Sequence, residues 1–532
     1  MASFYIENFG CRATQADGAA LERQFLERGL DRAKTARDAE IVVLNTCTVT
    51  AGADKDARAS IRRLQRENPG CRILVTGCYA QRAPEELAAL PGVKWVVGNS
   101  HKHQAVEIAT SASSSVGFVS LAQLSGEGAE FPHNRKERDC VGHPSDCVGH
   151  PDIVVGDIFA HTELLAAPVF DAANERTRPN LKVQDGCDNR CSFCVIPFVR
   201  GQSRSLPMER VLGEVRSLVD SGYREVVISG INLGRWGRDL AVSHQPSAVS
   251  HQSPGVVGRQ SLVVGEQNPL TLVISSGQQP ASNRERPTTN DQRLTSNDQR
   301  LEHLVRAILE HTSLEKLRIS SVEPMDWSDE LIGLMATSAR IAKHAHVPMQ
   351  SASDAVLRRM HRKYRPWHYR EKIQKIRAAM PTAAIGADVM VGFPGETEAE
   401  FAETRRMVEQ LPFTYLHVFT YSARPGTAAA QQGGQVPVRV ARERNRVLRE
   451  IAVGKQAAFR RSLVGTVVEA ITLRTGNEQF TEALTDNYLK IQVRGQLEPN
   501  RWIGVEVADS DGGVLMGQMV NRESATRGSP RK

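Results

Sequence analysis

LKVQDGCDNRCSFCVIP, residues 181–197, places three cysteines on one short loop directly after an apolar, strand-like run. Cys187, Cys191 and Cys194 follow the turn residue Gly186. Three thiolates this close in sequence can face inward onto one small metal centre. A cubane iron–sulfur cluster held by three cysteines keeps one iron free of protein ligands, and a substrate can coordinate there. The alternative is a zinc site completed by a distant fourth ligand.

Strand-like runs recur through the chain that follows. Most of them are separated by amphipathic stretches, and this alternation predicts parallel β/α units. Six such units predict a partial (β/α)6 barrel over residues 175–437. The runs are LKVQDGC, REVVISGINLG, LEKLRISSVEP, HAHVPMQS, AAIGADVMVGFPGET and YLHVFTYSARPGT.

An insertion interrupts this barrel between its second and third units. Residues 241–300 repeat AVSHQPS as AVSHQS and TNDQRL as SNDQRL, and they are rich in Ser, Gln, Asn and Pro. Such a segment cannot bury enough apolar surface to offset its chain entropy. We therefore expect a disordered loop at the barrel surface.

The first 109 residues also alternate strand-like and helix-like segments, which predicts an N-terminal α/β domain. Cys11, Cys47 and Cys78 each come just past a predicted strand. Because the carboxyl ends of parallel strands lie side by side, these cysteines should converge into a second metal centre. The alternative is three buried structural cysteines. Cys71 begins the strand that Cys78 ends, so we expect it to be inert.

Residues 110–174 are predicted to be a linker with a low-complexity insertion. Within it, Cys140, His143, Cys147 and His150 have the chemistry of zinc ligands, but they arise from the tandem duplication DCVGHPS/DCVGHP. We therefore predict no zinc site there. His344 and His346 flank an apolar strand and are predicted to pack within the barrel.

The C-terminal part begins with a basic stretch. Residues 439–461 carry eight basic and two acidic side chains, and we predict a helical connector over 438–462. Its charge suits either a solvated helix face or contact with a polyanion. Short strands with turns between them predict a small β-barrel over 463–525, followed by a disordered tail at 526–532.

Composition excludes several protein classes. The chain has 532 residues, a net charge of +7, 40% hydrophobic residues and 24% charged residues. These values are ordinary for a globular protein of several domains. The N-terminus lacks the pattern of a secretory signal, and no run of 18 apolar residues occurs. We expect a cytoplasmic protein that does not enter a membrane.

The CxxxCxxC loop after a first barrel strand resembles that of the radical S-adenosylmethionine superfamily. The resemblance implies that the open iron chelates S-adenosyl-L-methionine, whose sulfonium bond is cleaved by an electron to give a 5′-deoxyadenosyl radical. It also implies that Gly230 and Asn232 of SGINLG, together with Asp388 and with Gly392 of GFPGET, contact this cofactor.

The two cysteine triads, in this order and followed by a β-barrel, resemble the methylthiotransferase family within that superfamily. The resemblance rests on NTCTVT from Asn45, VTGCYAQ from Val75, VQDGCDNRCSFCVIP from Val183, RGQSRS from Arg200 and GFPGET from Gly392. It implies two 4Fe-4S clusters, of which the one on Cys11, Cys47 and Cys78 delivers sulfur. It also implies a C-terminal TRAM-like RNA-binding barrel.

Within that family, NTCTVT followed by Ala53, Asp54 and Lys55 resembles the branch that acts on N6-threonylcarbamoyladenosine in tRNA. The expected reaction replaces the C2 hydrogen of this adenosine, next to the anticodon, by a methylthio group. Arg200, Arg204 and Arg235 are the candidate partners of the substrate carboxylate. The expected partners are a tRNA anticodon stem-loop and an electron donor such as flavodoxin or ferredoxin, and we expect a monomer.

Three alternatives stay open from the sequence. Two keep the chemistry and change the substrate, to isopentenyladenosine in tRNA or to an aspartate of a ribosomal protein. The third is a nonenzymatic iron–sulfur protein that binds RNA.

Overall fold

The computed structural model describes residues 2–111, 151–161, 164, 178–240, 299–510 and 513–520. The duplicated Cys/His motif at 140–150, nearly all of the insertion predicted at 241–300 and the C-terminal tail lie outside these ranges. Of the described helices, none is both long and apolar enough to cross a membrane.

The N-terminal domain is a parallel six-stranded sheet with helices around it, as the alternating pattern predicts. The strand order is β2-β1-β3-β4-β5-β6. Strand β3 is buried along its whole length, which explains its continuous apolar run. The strands are β1 (Ser3–Asn8), β2 (Asp31–Arg32), β3 (Ile41–Thr46), β4 (Arg72–Gly77), β5 (Val93–Gly98) and β6 (Asp152–Val154).

In the described part of this domain, five α-helices and one 3₁₀ helix accompany the sheet. They are α1 (Arg12–Glu27), α2 (Ala51–Glu67), α3 (Cys78–Arg82), α4 (Pro84–Ala88), the 3₁₀ helix Asn99–Gln104 and α5 (Ala105–Thr110). The linker prediction for 110–174 needs one correction, because β6 lies within that range and pairs in parallel with β5. Its three residues are too few to show a strand period in the sequence.

The central domain contains the six predicted parallel strands, arranged as an open barrel. They are β7 (Asn180–Asp185), β9 (Glu225–Gly230), β10 (Lys316–Ile319), β11 (His344–His346), β12 (Ala384–Val391) and β13 (Tyr415–Thr420). The short β8 (Arg204–Ser205) pairs antiparallel with β7. Isolated bridges, such as the one between Ser321 and His346, connect the sheet that contains β10 to the sheet that contains β11.

Helices cover the outside of this barrel. Helix α7 shows why: Val211, Leu212, Val215 and Leu218 recur at helical spacing and are all buried. The helices are α6 (Ile196–Arg200), α7 (Met208–Asp220), α8 (Leu301–His311), α9 (Asp329–Thr337), α10 (Asp354–Arg359), α11 (Pro366–Ala379), α12 (Glu398–Gln410) and α13 (Val438–Arg461), with 3₁₀ helices at Leu233–Arg235, Pro324–Asp326 and Ala428–Gln431.

The C-terminal domain is a small closed β-barrel with the order β14-β15-β16-β18-β17. Its strands are β14 (Val467–Gly476), β15 (Phe480–Thr485), β16 (Lys490–Arg494), β17 (Trp502–Asp509) and β18 (Leu515–Val520). The turn between β15 and β16 carries Tyr488, whose ring lies 4.8 Å from the His344 ring. This turn therefore closes the end of the central barrel at which β9 and β11 begin.

Candidate functional site

The loop that carries Cys187, Cys191 and Cys194 starts where β7 ends. Gly186 there has φ +70°, and a Cβ on it would lie 1.8 Å from the carbonyl oxygen of Gln202, so only glycine fits. Farther along, Ser192 donates its backbone N–H to the Met360 carbonyl at 3.1 Å and its hydroxyl to the Arg359 carbonyl at 2.7 Å. The loop is thus held at both its beginning and its middle.

Polar donors lie close to two of the three central thiols, those of Cys187 and Cys191. The Asn189 backbone N–H lies 3.4 Å and the Asn232 side-chain amide 3.6 Å from Cys187 Sγ, and an Arg362 Nη lies 3.3 Å from Cys191 Sγ. Burial raises the pKa of Cys194 to about 12 and also raises that of Cys187. Without a metal these two thiols hold their protons at neutral pH, whereas the surrounding donors favour thiolates bound to a metal centre.

The N-terminal cysteines also converge, as their strand-end positions predict. Cys11 precedes α1, Cys47 follows β3, and Cys78 begins α3 directly after β4, and the strands β1, β3 and β4 are neighbours in the sheet. Burial, followed by the neighbouring Cys78, raises the pKa of Cys47 to about 12. Cys71 is buried in the apolar core instead.

The N-terminal triad lies beside the segment that follows the central cysteine loop, at the seam between the first two domains. Cys78 packs against Val195 and Val199, which directly follow the central cysteine loop. Asn99 bridges the same gap, since its amide lies 3.6 Å from Cys78 Sγ and donates to the Val199 carbonyl at 2.7 Å.

A single metal ion bound by three residues needs ligand atoms that lie close together. A tetrahedral zinc with Zn–S bonds of about 2.3 Å requires its sulfurs to lie about 3.8 Å apart. Within the described ranges, the group of three candidate ligand atoms that lie within 4.8 Å of one another consists of His346, Asp388 and His417. Within those ranges, neither cysteine triad forms a group that compact.

The two barrel histidines have different surroundings. His344 is buried, and its Nε2 lies 2.7 Å from the Tyr415 hydroxyl, as expected for packing. The Nδ1 of His346 lies 2.9 Å from the Ser321 hydroxyl, and its Nε2 lies 3.3 Å from an Asp388 carboxylate oxygen. His346 is therefore part of a polar group inside the barrel, which also places Asp388 there.

Of the other predicted cofactor contacts, Gly230 and Asn232 lie close to β7 and its cysteine loop, whereas Gly392 does not. A Cβ on Gly230 would lie 2.8 Å from the Gln184 side-chain oxygen, so this glycine lets β7 and β9 approach closely. Asn232 accompanies Cys187, and its side-chain oxygen is buried without a hydrogen-bond partner. Gly392, in contrast, faces α13, because its Cβ would lie 2.6 Å from that of Ala441.

The structure does not bring the three predicted arginines together. Arg200 is fully buried and bonded to Asp185, and Arg204 donates to the carbonyls of His161 at 3.0 Å and of Arg200 at 2.9 Å. Closeness to a strand end in sequence does not specify on which side of the sheet a side chain lies, and Arg200 is also bonded to Asp17 of the first domain. Arg235, bonded to Asp326 at 3.2 Å, lines a cavity beside the central cysteine loop, together with Cys191, Glu323, Arg362 and Lys363.

A buried charged network, the seam network, was missed by the sequence reasoning. It joins Asp17 and Lys102 of the first domain to Lys182, Asp185 and Arg200 of the second. Asp17 accepts from Lys102 at 2.8 Å, from Arg200 at 2.9 Å and from Lys182, while Asp185 accepts from Lys182 at 2.8 Å and from Arg200 at 2.9 Å. The sequence signal for this network was Lys182, a charged residue in the middle of a strand that is buried along its whole length.

A second buried group, the Asp54 latch, joins the same two domains. Asp54 accepts from Thr48 at 2.6 Å, from Arg82 at 3.1 Å and from Arg424 of the loop after β13. Arg424 also donates to the Thr48 hydroxyl at 2.9 Å. The acidic residue of the NTCTVT-AGADK stretch therefore holds the seam, rather than lining a pocket.

Comparisons with known proteins agree with this architecture. Residues 3–98 match the model described as uncharacterized protein family UPF0004, and residues 251–408 match the radical SAM superfamily. Threonylcarbamoyladenosine tRNA methylthiotransferase MtaB of Bacillus subtilis is 33% identical over 93% of this chain and 91% of its own length. Its counterpart in Aquifex aeolicus is 30% identical over 94% of this chain and 98% of its own length. The tRNA-2-methylthio-N(6)-dimethylallyladenosine synthase of Erythrobacter litoralis is 27% identical over 99% of this chain and 95% of its own length.

Proposed function

The chain belongs to the radical S-adenosylmethionine methylthiotransferase family, and from this premise we propose that it replaces the C2 hydrogen of N6-threonylcarbamoyladenosine in tRNA, next to the anticodon, by a methylthio group. The observation that carries the proposal is the presence of two cysteine triads, one from each of two domains, with Cys78 of the first packed against the segment that follows the second. An aromatic C–H is neither acidic nor electrophilic enough for acid–base substitution, so a radical cofactor and a separate sulfur source are both needed.

Each triad has a distinct task in this proposal. Cys187, Cys191 and Cys194 hold a 4Fe-4S cluster that binds S-adenosyl-L-methionine, and Cys11, Cys47 and Cys78 hold a second one. When bound, these groups supply the radical, the methyl group and the sulfur. The chain's own residues orient them: Arg362 and Asn232 donate toward the central sulfurs, and the unpartnered Asn232 oxygen can accept a hydrogen bond from the cofactor's amino group.

Arg235 is the best placed of the predicted arginines to pair with the substrate carboxylate. It lies at the cavity beside Cys191 and is 26% exposed, whereas Arg200 is 2% exposed and already bonded to two carboxylates. The N6 substituent of the proposed substrate ends in a carboxylate, which a guanidinium can bind through two parallel hydrogen bonds.

The tRNA is proposed to contact the C-terminal part of the chain. The closed barrel is TRAM-like in this reading, and the basic helix α13 precedes it. Arginines on such a surface follow the phosphate backbone and give salt-dependent affinity without reading sequence. A tRNA substrate also favours a cytoplasmic location, and the electron donor is proposed to be flavodoxin or ferredoxin acting on a monomer.

Isopentenyladenosine is the second candidate substrate, and two observations favour keeping it. One is the similarity to the Erythrobacter litoralis enzyme. The other is the Asp54 latch, because a residue that holds a seam does not report on the substrate pocket. The isopentenyl group is wholly apolar, so the two substrates need different pockets.

A direct assay separates the candidates. Anaerobically reconstituted enzyme is incubated with two anticodon stem-loops that differ only in the N6 substituent, and nucleosides are quantified by mass spectrometry. A site that pairs a buried carboxylate should prefer the threonylcarbamoyl substrate by roughly 10⁴-fold. Arg235→Ala should lose most of this preference and Arg235→Lys should keep part of it, whereas the remote, exposed Arg306→Gln should change nothing. Equal rates on both stem-loops would refute the substrate assignment.

A further inference from the structure

The seam network holds more positive than negative charge. Lys102, Lys182 and Arg200 face Asp17 and Asp185, so three cations meet two carboxylates, and every one of these side chains is at most 8% exposed. Although burial opposes its charge, the three cations hold the pKa of Asp17 well below its usual range. The acids therefore stay ionised at neutral pH, and with its three bases protonated the described part of the network has a surplus of one positive charge.

A buried surplus charge is costly unless an anion compensates it. The N-terminal triad lies beside this charge: an Arg200 Nη lies 3.5 Å from the Thr14 hydroxyl, which in turn lies 3.5 Å from Cys11 Sγ. Burial opposes the charge of Arg200, but Asp185, Cys78, Asp17 and Cys11 together raise its pKa well above the usual range. Cys78 also acts on Lys102 in the direction of a raised pKa, although burial lowers it overall.

The central triad has a different electrostatic environment. Its neighbouring cation, Arg362, is bonded to the carboxylate of Glu323, so that pair is neutral as a whole. The two triads therefore differ in a property that the sequence motif does not show: the N-terminal one faces an uncompensated buried cation.

We infer that Arg200 and Lys102 are positioning residues whose surplus charge is the counter-charge of the metal cluster on Cys11, Cys47 and Cys78, and that they raise its reduction potential. The inference rests on the proposed second cluster. A fixed positive charge in a medium of low dielectric constant stabilises the more negative, reduced state of a nearby centre. Loss of that charge should therefore make the cluster harder to reduce.

The test uses the full chain with Cys187, Cys191 and Cys194 changed to Ala, so that only the N-terminal cluster can form. This parent is reconstituted anaerobically, its iron is counted, and its midpoint potential is measured by redox titration followed by electron paramagnetic resonance. The same measurements are made on parents that also carry Arg200→Gln, Arg200→Lys or Lys102→Gln. The matched control is Arg444→Gln, which neutralises a buried arginine of α13 that is bonded to Glu396.

We expect about four irons in the parent, a lower potential in both Gln variants at the seam, and a potential near the parent value in Arg200→Lys and Arg444→Gln. A parent without iron would refute the second cluster itself. A parent with iron whose potential is the same in all variants would overturn only the counter-charge role. If Arg200→Gln takes up no iron, uptake by Arg200→Lys supports a requirement for charge, and failure of Arg200→Lys as well refutes it in favour of a purely structural role.

Discussion

At the scale of single residues, the Arg318–Glu225 pair shows what a buried charge does for this fold. Both side chains are almost fully buried, and Arg318 Nε lies 2.5 Å from a Glu225 oxygen. Arg318 also donates to the Asp486 carbonyl at 2.9 Å and so reaches the C-terminal barrel. Arg318→Met should cost about 3–5 kcal/mol of unfolding free energy, because it removes the hydrogen-bonded cation from the fully buried Glu225.

Urea unfolding of the metal-free protein, followed by tryptophan fluorescence, checks this value. The double variant Arg318→Met, Glu225→Leu should regain much of the loss, since apolar residues often replace a buried ion pair without net cost. Arg306→Met, which breaks an exposed pair with Glu330, should leave the transition unchanged. A single variant no less stable than the double one would contradict the argument.

Single residues also show where sequence reasoning ends. The convergence of Cys11, Cys47 and Cys78 could be predicted, because parallel strands of one sheet bring their carboxyl ends together. The position of Arg200 could not be, since it depends on which residues the other domain brings to the seam. Its partner Asp17 is 183 residues away in sequence, and no local pattern connects the two.

At the scale of secondary-structure elements, the contacts of α13 show which of its basic residues stabilise the fold and which could bind a polyanion. Several of its cations serve the fold: Arg444 binds Glu396, Arg446 binds Glu443 and Glu450, and Lys455 donates to the carbonyls of Glu409 and Leu411. Arg446 is exposed but is offset by its two glutamates, and Arg439, Arg442 and Arg449 are exposed as well. The exposed arginines are the ones available to a polyanion.

We therefore expect Arg442→Gln and Arg449→Gln each to weaken tRNA binding. Each should also lower the slope of log affinity against log salt concentration by about 1, because one phosphate contact is lost. Arg446→Gln is the control on the same helix, and since its charge is already offset by two glutamates it should have a smaller effect. Binding curves at several salt concentrations measure the slopes, and equal slopes in all four proteins would exclude α13 from the interface.

Element prediction succeeded where periodicity was long enough. The six parallel barrel strands and the helix over the basic stretch were predictable, because apolar runs bounded by turn residues define them. Strands β6 and β8, of three and two residues, were not, since they form only when a neighbouring strand offers its edge.

At the scale of the whole molecule, three domains meet through a few long-range contacts. Arg12 of the first domain donates to the Tyr488 hydroxyl of the third at 3.3 Å. Within the second domain, the Arg318 guanidinium lies 5.3 Å from the same ring. Such contacts join residues hundreds of positions apart, so the domain arrangement could not be predicted from the strand and helix patterns.

The Asp54 latch leads to a prediction about this arrangement. Asp54→Asn removes the negative charge shared by Arg82 and Arg424, and Arg424 is only 3% exposed. Two guanidiniums would then lie together with no carboxylate between them, a loss of about 3–5 kcal/mol. Because Arg424 belongs to the second domain and Arg82 to the first, we expect this loss to open the seam locally rather than to unfold either domain.

Hydrogen exchange followed by mass spectrometry measures that opening. In Asp54→Asn, the amides of residues 48–54 and 421–427 should exchange faster, while those of the C-terminal barrel should be unaffected, because the contacts of Tyr488 do not involve the latch. Asp56→Asn removes an exposed carboxylate from the same turn of α2 and should exchange like the unaltered protein. Unchanged exchange at 421–427 in Asp54→Asn would mean that the latch is not needed to hold this loop, since the seam network and the packing of Cys78 on Val195 and Val199 would then suffice to keep the seam closed.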